Sequence, residues 1–231
     1  MPEYLGPRAP LSTRQGQDGR VPNSAHPLLD LFLDAARERF PAADGGVTVL
    51  PDLPGGLACS VAFTGHAVVA TALSTVEVLG HRPDGFGGAM APEFLRALAG
   101  PTGSIGTIDA TLVRLGTGGA PRLPPLANAD GHPRVRYARG LRTDVRVFGD
   151  DRGLVTVAAG LAGRTELSIE LHHPDGGSRG RGRSLLADAL TVVPRHEPVF
   201  AAVAPGNARS LRAFLAAGFT PIGAEVILRP G

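Results

Sequence analysis

Apolar positions recur along the chain with two periods, near three and a half residues and two residues, and the changes of period outline its elements. Residues 27–40, PLLDLFLDAARERF, place Leu29, Phe32, Ala36 and Phe40 at a spacing that predicts one helical face. Pro27 suits a first helical position and Pro41 ends the run. GVTVL and LACSVAFTGHAVVATAL are rich in Val and Thr, and the second predicts a hairpin turning near Thr64–His66. PEFLRALAG, Pro92–Gly100, predicts a short helix with a glycine stop. SIGTIDATLVRL predicts a strand, and the Gly- and Pro-dense residues 116–133 predict a long loop or lobe boundary.

Beyond residue 140 the pattern sharpens. LRTDVRVFG and GLVTVAAGL flank DDRG, a natural hairpin turn. TELSIELH alternates strictly, with Leu167, Ile169 and Leu171 on one face and Glu166, Ser168 and Glu170 on the other. PDGGSRGRGRSLLADAL begins in turn residues and ends as a helix whose buried face is Leu185, Leu186, Ala189 and Leu190. The strand PVFAAVAP, the helix ARSLRAFLAAG and a final strand pair in FTPIGAEVILR complete the chain. Strand–helix–strand order predicts a parallel crossover inside a mixed α/β sheet.

Composition narrows the function classes. With 231 residues, 43% hydrophobic and 19% charged, the chain can bury a sizeable core. MPEYLGPRAPLSTRQGQDGR has no apolar centre, so residues 1–22 are expected to be a disordered leader rather than a secretory signal. No stretch has the length of a membrane span, so no membrane role is expected. Cys59 is the only cysteine, which rules out an intramolecular disulfide or a cysteine zinc site and fits a reducing cytoplasm. All 23 basic residues are arginine, and 21 acids leave a net charge of only +2. Uniform arginine use looks like a coding bias, so an arginine cluster is weak evidence for nucleic-acid binding, and scattered arginines read first as solvated surface.

The arginine–glycine stretch nevertheless stands between a strand end and a helix start. Gly180 and Gly182 would let the backbone approach a ligand, with the free N–H groups of the first helical turn behind them. That is an anion site in waiting, and Arg179, Arg181 and Arg183 add phosphate donors. A P-loop is excluded because the chain has no lysine. A dinucleotide fingerprint is excluded because Leu185 stands where a third glycine is needed.

Arg179-Gly-Arg-Gly182-Arg-Ser184 resembles the pyrophosphate loop of the GNAT superfamily of acyl-CoA-dependent N-acyltransferases, with Ser184 where that family has Gly or Ala. NARSLRAFLAAGF resembles its next signature, through Asn207, Ser210, Phe214 and Gly218-Phe219. The residues alone also account for much of this segment: Asn207 as an N-cap, Phe214 as core and Gly218 as a helix stop. The resemblance covers about residues 140–231.

It implies a splayed mixed sheet flanked by helices, with acyl-CoA between the strands at 165–172 and 198–204. Pantetheine would pair with the exposed backbone of the first strand, with Leu171 and His172 as cofactor-binding candidates, and pyrophosphate would rest on Arg179, Gly180, Arg181, Gly182, Arg183 and Ser184. Asn207 is the candidate for contact with the pantetheine arm, and Ser210 and Phe214 are further cofactor-binding candidates. Glu166 and Glu170 are the general-base candidates, set against the plainer reading of two solvated glutamates; His172 and His173 are further candidates. Phe214 stands where the family often has a tyrosine that protonates the leaving thiolate.

The expected organisation is a leader (1–22), an N-terminal lobe on the acceptor side (23–130) and an acyl-CoA core (131–231). The expected activity is transfer of acetyl from acetyl-CoA to a small-molecule or peptide amine, with no metal and no nucleic acid, in the cytoplasm. A homodimer is compatible with the sequence. The alternatives are an acyl-CoA-binding module without turnover, and a nucleic-acid binder, for which no aromatic residue interleaves the arginines. His66 and Asp109 are polar residues among apolar neighbours that read as ordinary turn or sheet-edge positions.

Overall fold

A computed structural model describes residues 25–172 and 180–231. The leader (1–22), His173 and Arg179 lie outside the described residues. The remainder is a mixed α/β structure in which one large sheet is flanked by helices on both faces.

Ten strands form the sheet: β1 (Val47–Leu50), β2 (Ala58–Phe63), β3 (His66–Ala70), β4 (Ser104–Ile105), β5 (Asp109–Leu115), β6 (Thr143–Asp150), β7 (Gly153–Ala159), β8 (Thr165–Leu171), β9 (Pro198–Val203) and β10 (Thr220–Arg229). Their order is β1-β3-β2-β10-β5-β9-β8-β7-β6, with β4 paired to β10. Among the described strands, β1/β3 and β8/β9 are the parallel pairs. The β2–β3 and β6–β7 hairpins form where turn residues predicted them, with Phe63 opposite His66 and Asp150 opposite Gly153.

The six α-helices among the described residues are α1 (Leu28–Ala35), α2 (Thr75–Gly80), α3 (Pro92–Ala99), α4 (Pro133–Arg139), α5 (Arg181–Ala189) and α6 (Ala208–Ala216). Leu185 and Leu186 of α5 and Phe214 of α6 share one core with Leu112, Leu167 and Val199 of the sheet. Phe94, Leu95 and Leu98 of α3 pack on Val69, Val226 and Leu228, on the same sheet face. Leu28 and Phe32 of α1 pack on the opposite face, against Val61, Val113 and Phe200. Val135 of α4 packs on Val147 and Leu154, also on that second face.

Several sequence expectations change. The first helix stops at Ala35, and its buried face is Leu28, Phe32 and Ala35, while Phe40 is 42% exposed. Phe32 is common to both sets, while Leu28 and Ala35 take the places expected for Leu29 and Ala36. The strand at 104–115 breaks into β4 and β5. The final strand pair is one strand, β10, with a register shift between Pro221 and Gly223. Proline removes one ladder donor there, and the strand bulges without turning back. Two helices were not expected. In α2 the signal was present as a capping box: Ser74 Oγ accepts from the Glu77 N–H and Glu77 accepts from the Ser74 N–H. α4 begins at Pro133, the last residue of the segment read as loop, with His132 as its cap. The 130/131 boundary is not a break in the sheet, because β5 lies between β9 and β10 and β2 pairs with β10.

Candidate functional site

β8 and β9 are joined through one register pair, Glu166 opposite Phe200. On its other side β8 is paired with β7 along its whole length, from Thr165 to Leu171. Beyond Glu166 the edge of β8 facing β9 therefore has no ladder partner among the described residues, and the two strands splay toward their C-terminal ends. β8 leads into the arginine–glycine turn and α5, and β9 leads into α6.

At the open end Gly180 adopts the left-handed conformation, φ 82°, which glycine takes without strain. Among the described residues no side chain caps α5, and the N–H groups of a first helical turn have no partner within the helix. Gly182 is buried, and a Cβ there would lie 3.4 Å from Ala213 Cβ, with Leu171 and Ile169 next. It serves the close packing of α5 on α6 and β8 rather than facing outward. Arg183 and Ser184 are exposed and Arg181 is half-buried. Ser184 Oγ donates to the Arg181 carbonyl at 2.9 Å and accepts from Arg152 Nη1 at 3.1 Å. Arg152, in the β6–β7 turn, also pairs with Asp188 at 2.7 Å, so an arginine that the motif does not include ties that turn to α5.

Asn207 Oδ1 accepts from the Ser210 N–H at 3.1 Å, so its side chain caps α6. Asn207→Ala is expected to cost about 1 kcal/mol for the lost cap, read as a lower urea midpoint with or without any ligand. Phe214 is 3% exposed and packs edge-on to Phe219 at 4.9 Å. The ring is thus part of the core, as its place in the apolar stripe of α6 predicts. Leu171 is half-buried against the same core, and His172 is exposed beyond the strand end.

The two glutamates share a face of β8, as the alternation required, but differ in environment. Glu170 is half-exposed and pairs with Arg134 of α4 at 3.1 Å, a surface pair of small energetic weight. Glu166 is 3% exposed. Its Oε1 accepts from the Leu161 N–H at 3.0 Å and from Arg164 Nε at 2.9 Å, and its Oε2 pairs with Arg142 Nε at 2.7 Å. Burial works to raise its pKa, but Arg164, Arg142 and the Leu161 N–H outweigh it and hold the carboxyl below the usual range. A Cβ on Gly160 would fall 2.1 Å from that carboxyl carbon, so only glycine leaves room for it. Glu166 is thus a buried carboxylate held in ion pairs, so the plainer reading of a solvated glutamate does not hold for it.

Arg164 extends the network across the sheet. Its Nη2 donates to Glu225 Oε1 at 2.6 Å, and Glu225 Oε2 accepts from Thr111 Oγ1 at 2.5 Å. The guanidinium carbon lies 4.2 Å from the Phe32 ring centroid and 5.1 Å from that of Phe200, and Nη1 has no hydrogen-bond partner. The flat aromatic faces take the place of that partner. Asp109 stands directly opposite Glu225 across β5 and β10. Its carboxyl is pushed up to about 6, first by burial, then by the negative charges of Glu225 and Glu166, with Arg142 partly opposing.

Sequence reasoning passed over Asp109 and did not single out Arg142, Arg164 or Glu225. Only the alternation of β5 and β10 could have placed Asp109 and Glu225 on a common face, and no local signal paired those strands. Cys59 is fully buried, and burial pushes its thiol up to about 12, so it is no nucleophile. No group of three or more His, Cys, Asp or Glu able to hold a metal occurs among the described residues. No helix among them is long and apolar enough to cross a membrane. A surface cleft of about 420 Å³, lined by Arg114, Arg195 and His196, lies at the other end of β5, away from the splay.

No protein-family model matches the chain, and no curated protein matches it. Among solved structures it is similar to one named "Putative Acetyltransferase from the GNAT family", of Novosphingobium aromaticivorans, at 14% identity and a TM-score of 0.38, over 57% of this chain and 69% of that one.

Proposed function

We propose that the chain is an acyl-CoA-dependent N-acetyltransferase whose donor lies in the splay between β8 and β9. The observation that carries this reading is the single register pair between parallel strands β8 and β9, which are otherwise not paired to each other, with the N-terminus of α5 at the open end. The free edge of β8 offers amide and carbonyl groups to the amides of a pantetheine arm. The Gly180 turn and the first N–H groups of α5, with Arg181 and Arg183, offer donors and positive charge to a pyrophosphate. In the reaction the lone pair of a neutral amine attacks the thioester carbonyl, the C–S bond breaks and the thiolate takes up a proton. Phe214 has no proton to give it, so water supplies that proton in this reading. The acceptor is an amine, small-molecule or peptide, approaching on the face that carries α1 and α4. The arrangement of Glu166 favours one second reading, an acyl-CoA-binding module without turnover, since the expected base is locked in an ion-pair network.

A thermal melt with acetyl-CoA tests the site. Ligand at about 100 times its Kd adds ~2.7 kcal/mol, a rise of roughly 5–10 °C for a chain of this size. Gly182→Glu is a poor probe because Gly182 faces Ala213, and a carboxylate there would disturb packing. Arg181→Glu with Arg183→Glu reverses charge at positions outside the core, and should keep the fold while abolishing most of the rise. No rise in the wild-type protein would remove both acyl-CoA readings.

A further inference from the structure

The face of the sheet beneath α1 and α4 carries a stripe of carboxylates around the splay: Glu166 on β8, Glu225 on β10 and Asp109 on β5. Two of the three are fully engaged. Glu166 is held by Arg142, Arg164 and the Leu161 N–H, and Glu225 by Arg164 and Thr111. The charges of this set balance, two guanidinium groups against two carboxylates. Asp109 is surplus. It makes no hydrogen bond or ion pair with any described residue, it is half-buried, and it faces Glu225 directly across the strand pair. Its neighbour Ala110 pairs with Val203, the last residue of β9, so Asp109 sits at the end of β9 toward which the splay opens.

We propose that Asp109, and not Glu166 or Glu170, accepts the proton of the acceptor ammonium in the transfer reaction. The proposal rests on the acyl-CoA reading above. Asp109 is the one carboxylate of the three with no hydrogen-bond or ion-pair partner among the described residues, and a cationic amine entering the stripe neutralises its surplus charge. One proton passes from the ammonium to the Asp109 carboxylate. The amine nitrogen then forms the C–N bond, the C–S bond breaks, and the second nitrogen proton leaves through water to the sulfur. Asp109 returns its own proton to solvent. A carboxyl raised toward neutrality is ionised at pH 7 to 8 and still a competent base, whereas one held low by two arginines is not.

The test compares the wild-type protein with Asp109→Asn and Asp109→Glu. Asp109→Asn removes a repelled charge from beside Glu225, so its melting temperature at pH 8 should not fall, and acetyl-CoA should raise both melts equally. With the best amine of a panel, turnover by Asp109→Asn should drop about 10²- to 10⁴-fold. Wild-type turnover should fall as pH drops below about 6; that limb should vanish in the asparagine variant and return, at reduced rate, with glutamate. Undiminished turnover with the limb intact overturns the assignment and leaves the acyl-CoA reading standing. Binding of acetyl-CoA without turnover of any amine overturns it together with catalysis. No wild-type binding removes the reading it rests on.

Discussion

Arg164→Ala is expected to lower stability by about 3–5 kcal/mol, a fall of roughly 6–20 °C in melting temperature. Arg164 is 1% exposed and bridges Glu166 and Glu225, two carboxylates at most 4% exposed in their side chains. Removing the cation leaves Glu225 buried with only the Thr111 hydroxyl, and leaves Glu166 with Arg142 and one N–H. The desolvation those charges suffered on folding is then no longer offset by the shared guanidinium. The sign with pH follows from Glu166. Its carboxyl is lowered in the folded protein, so the stability it contributes is fully present above the ordinary glutamate pKa of ~4.3 and is lost as pH falls through the folded value. The gap between wild type and Arg164→Ala should therefore narrow in acid. Urea unfolding at pH 7.5 and pH 4 measures both, and a loss under about 1 kcal/mol at pH 7.5 would show that the network is not a unit.

Phe200→Ala is expected to cost a similar ~3–5 kcal/mol. Phe200 is fully buried in β9, opposite Glu166 at the one point where β8 and β9 meet. Its ring packs edge-on to Phe32 at 5.7 Å and lies beneath the Arg164 guanidinium. Truncation opens a cavity under α1 and removes one of the two aromatic faces that shelter the unpartnered Nη1. The two positions touch, so their effects should not add. A double-mutant cycle with Arg164→Ala should return a coupling of about 0.5–3 kcal/mol. Additivity within error would mean that the ring and the cation stabilise the vertex independently. If the proposed acyl-CoA site is correct, loss of ordering at this vertex should also weaken acetyl-CoA binding in the Phe200→Ala protein, because the splay begins there.

The hairpins, β8, the α5 crossover, β9 and α6 are legible in the sequence for a common reason: each is written over fewer than about twenty-five neighbouring residues. Strict alternation in TELSIEL forces Glu166 and Glu170 onto one face, and DDRG closes β6 onto β7 because the turn residues are contiguous. Asn207 as a cap and Phe214 as core follow from the same local rules, and the structure gives both residues those roles. The uncapped start of α5 is local too: a glycine in the left-handed region needs no partner elsewhere in the chain.

What the tertiary structure alone decided concerns pairs that are distant in sequence. β5 enters the sheet between β9 and β10, and no periodicity within β5 names those neighbours. Arg164 meets Glu225 across 61 residues, and Thr111 meets Glu225 across 114. Burial of Glu166, the lack of a partner for Asp109 among the described residues, and the like charges that help to push its carboxyl upward all depend on that insertion. Alternation along a strand states which residues share a face, but only strand order states which faces come together. A charged residue in the sequence therefore declares its chemistry, while its protonation and its freedom to react are set by neighbours that the fold brings from elsewhere.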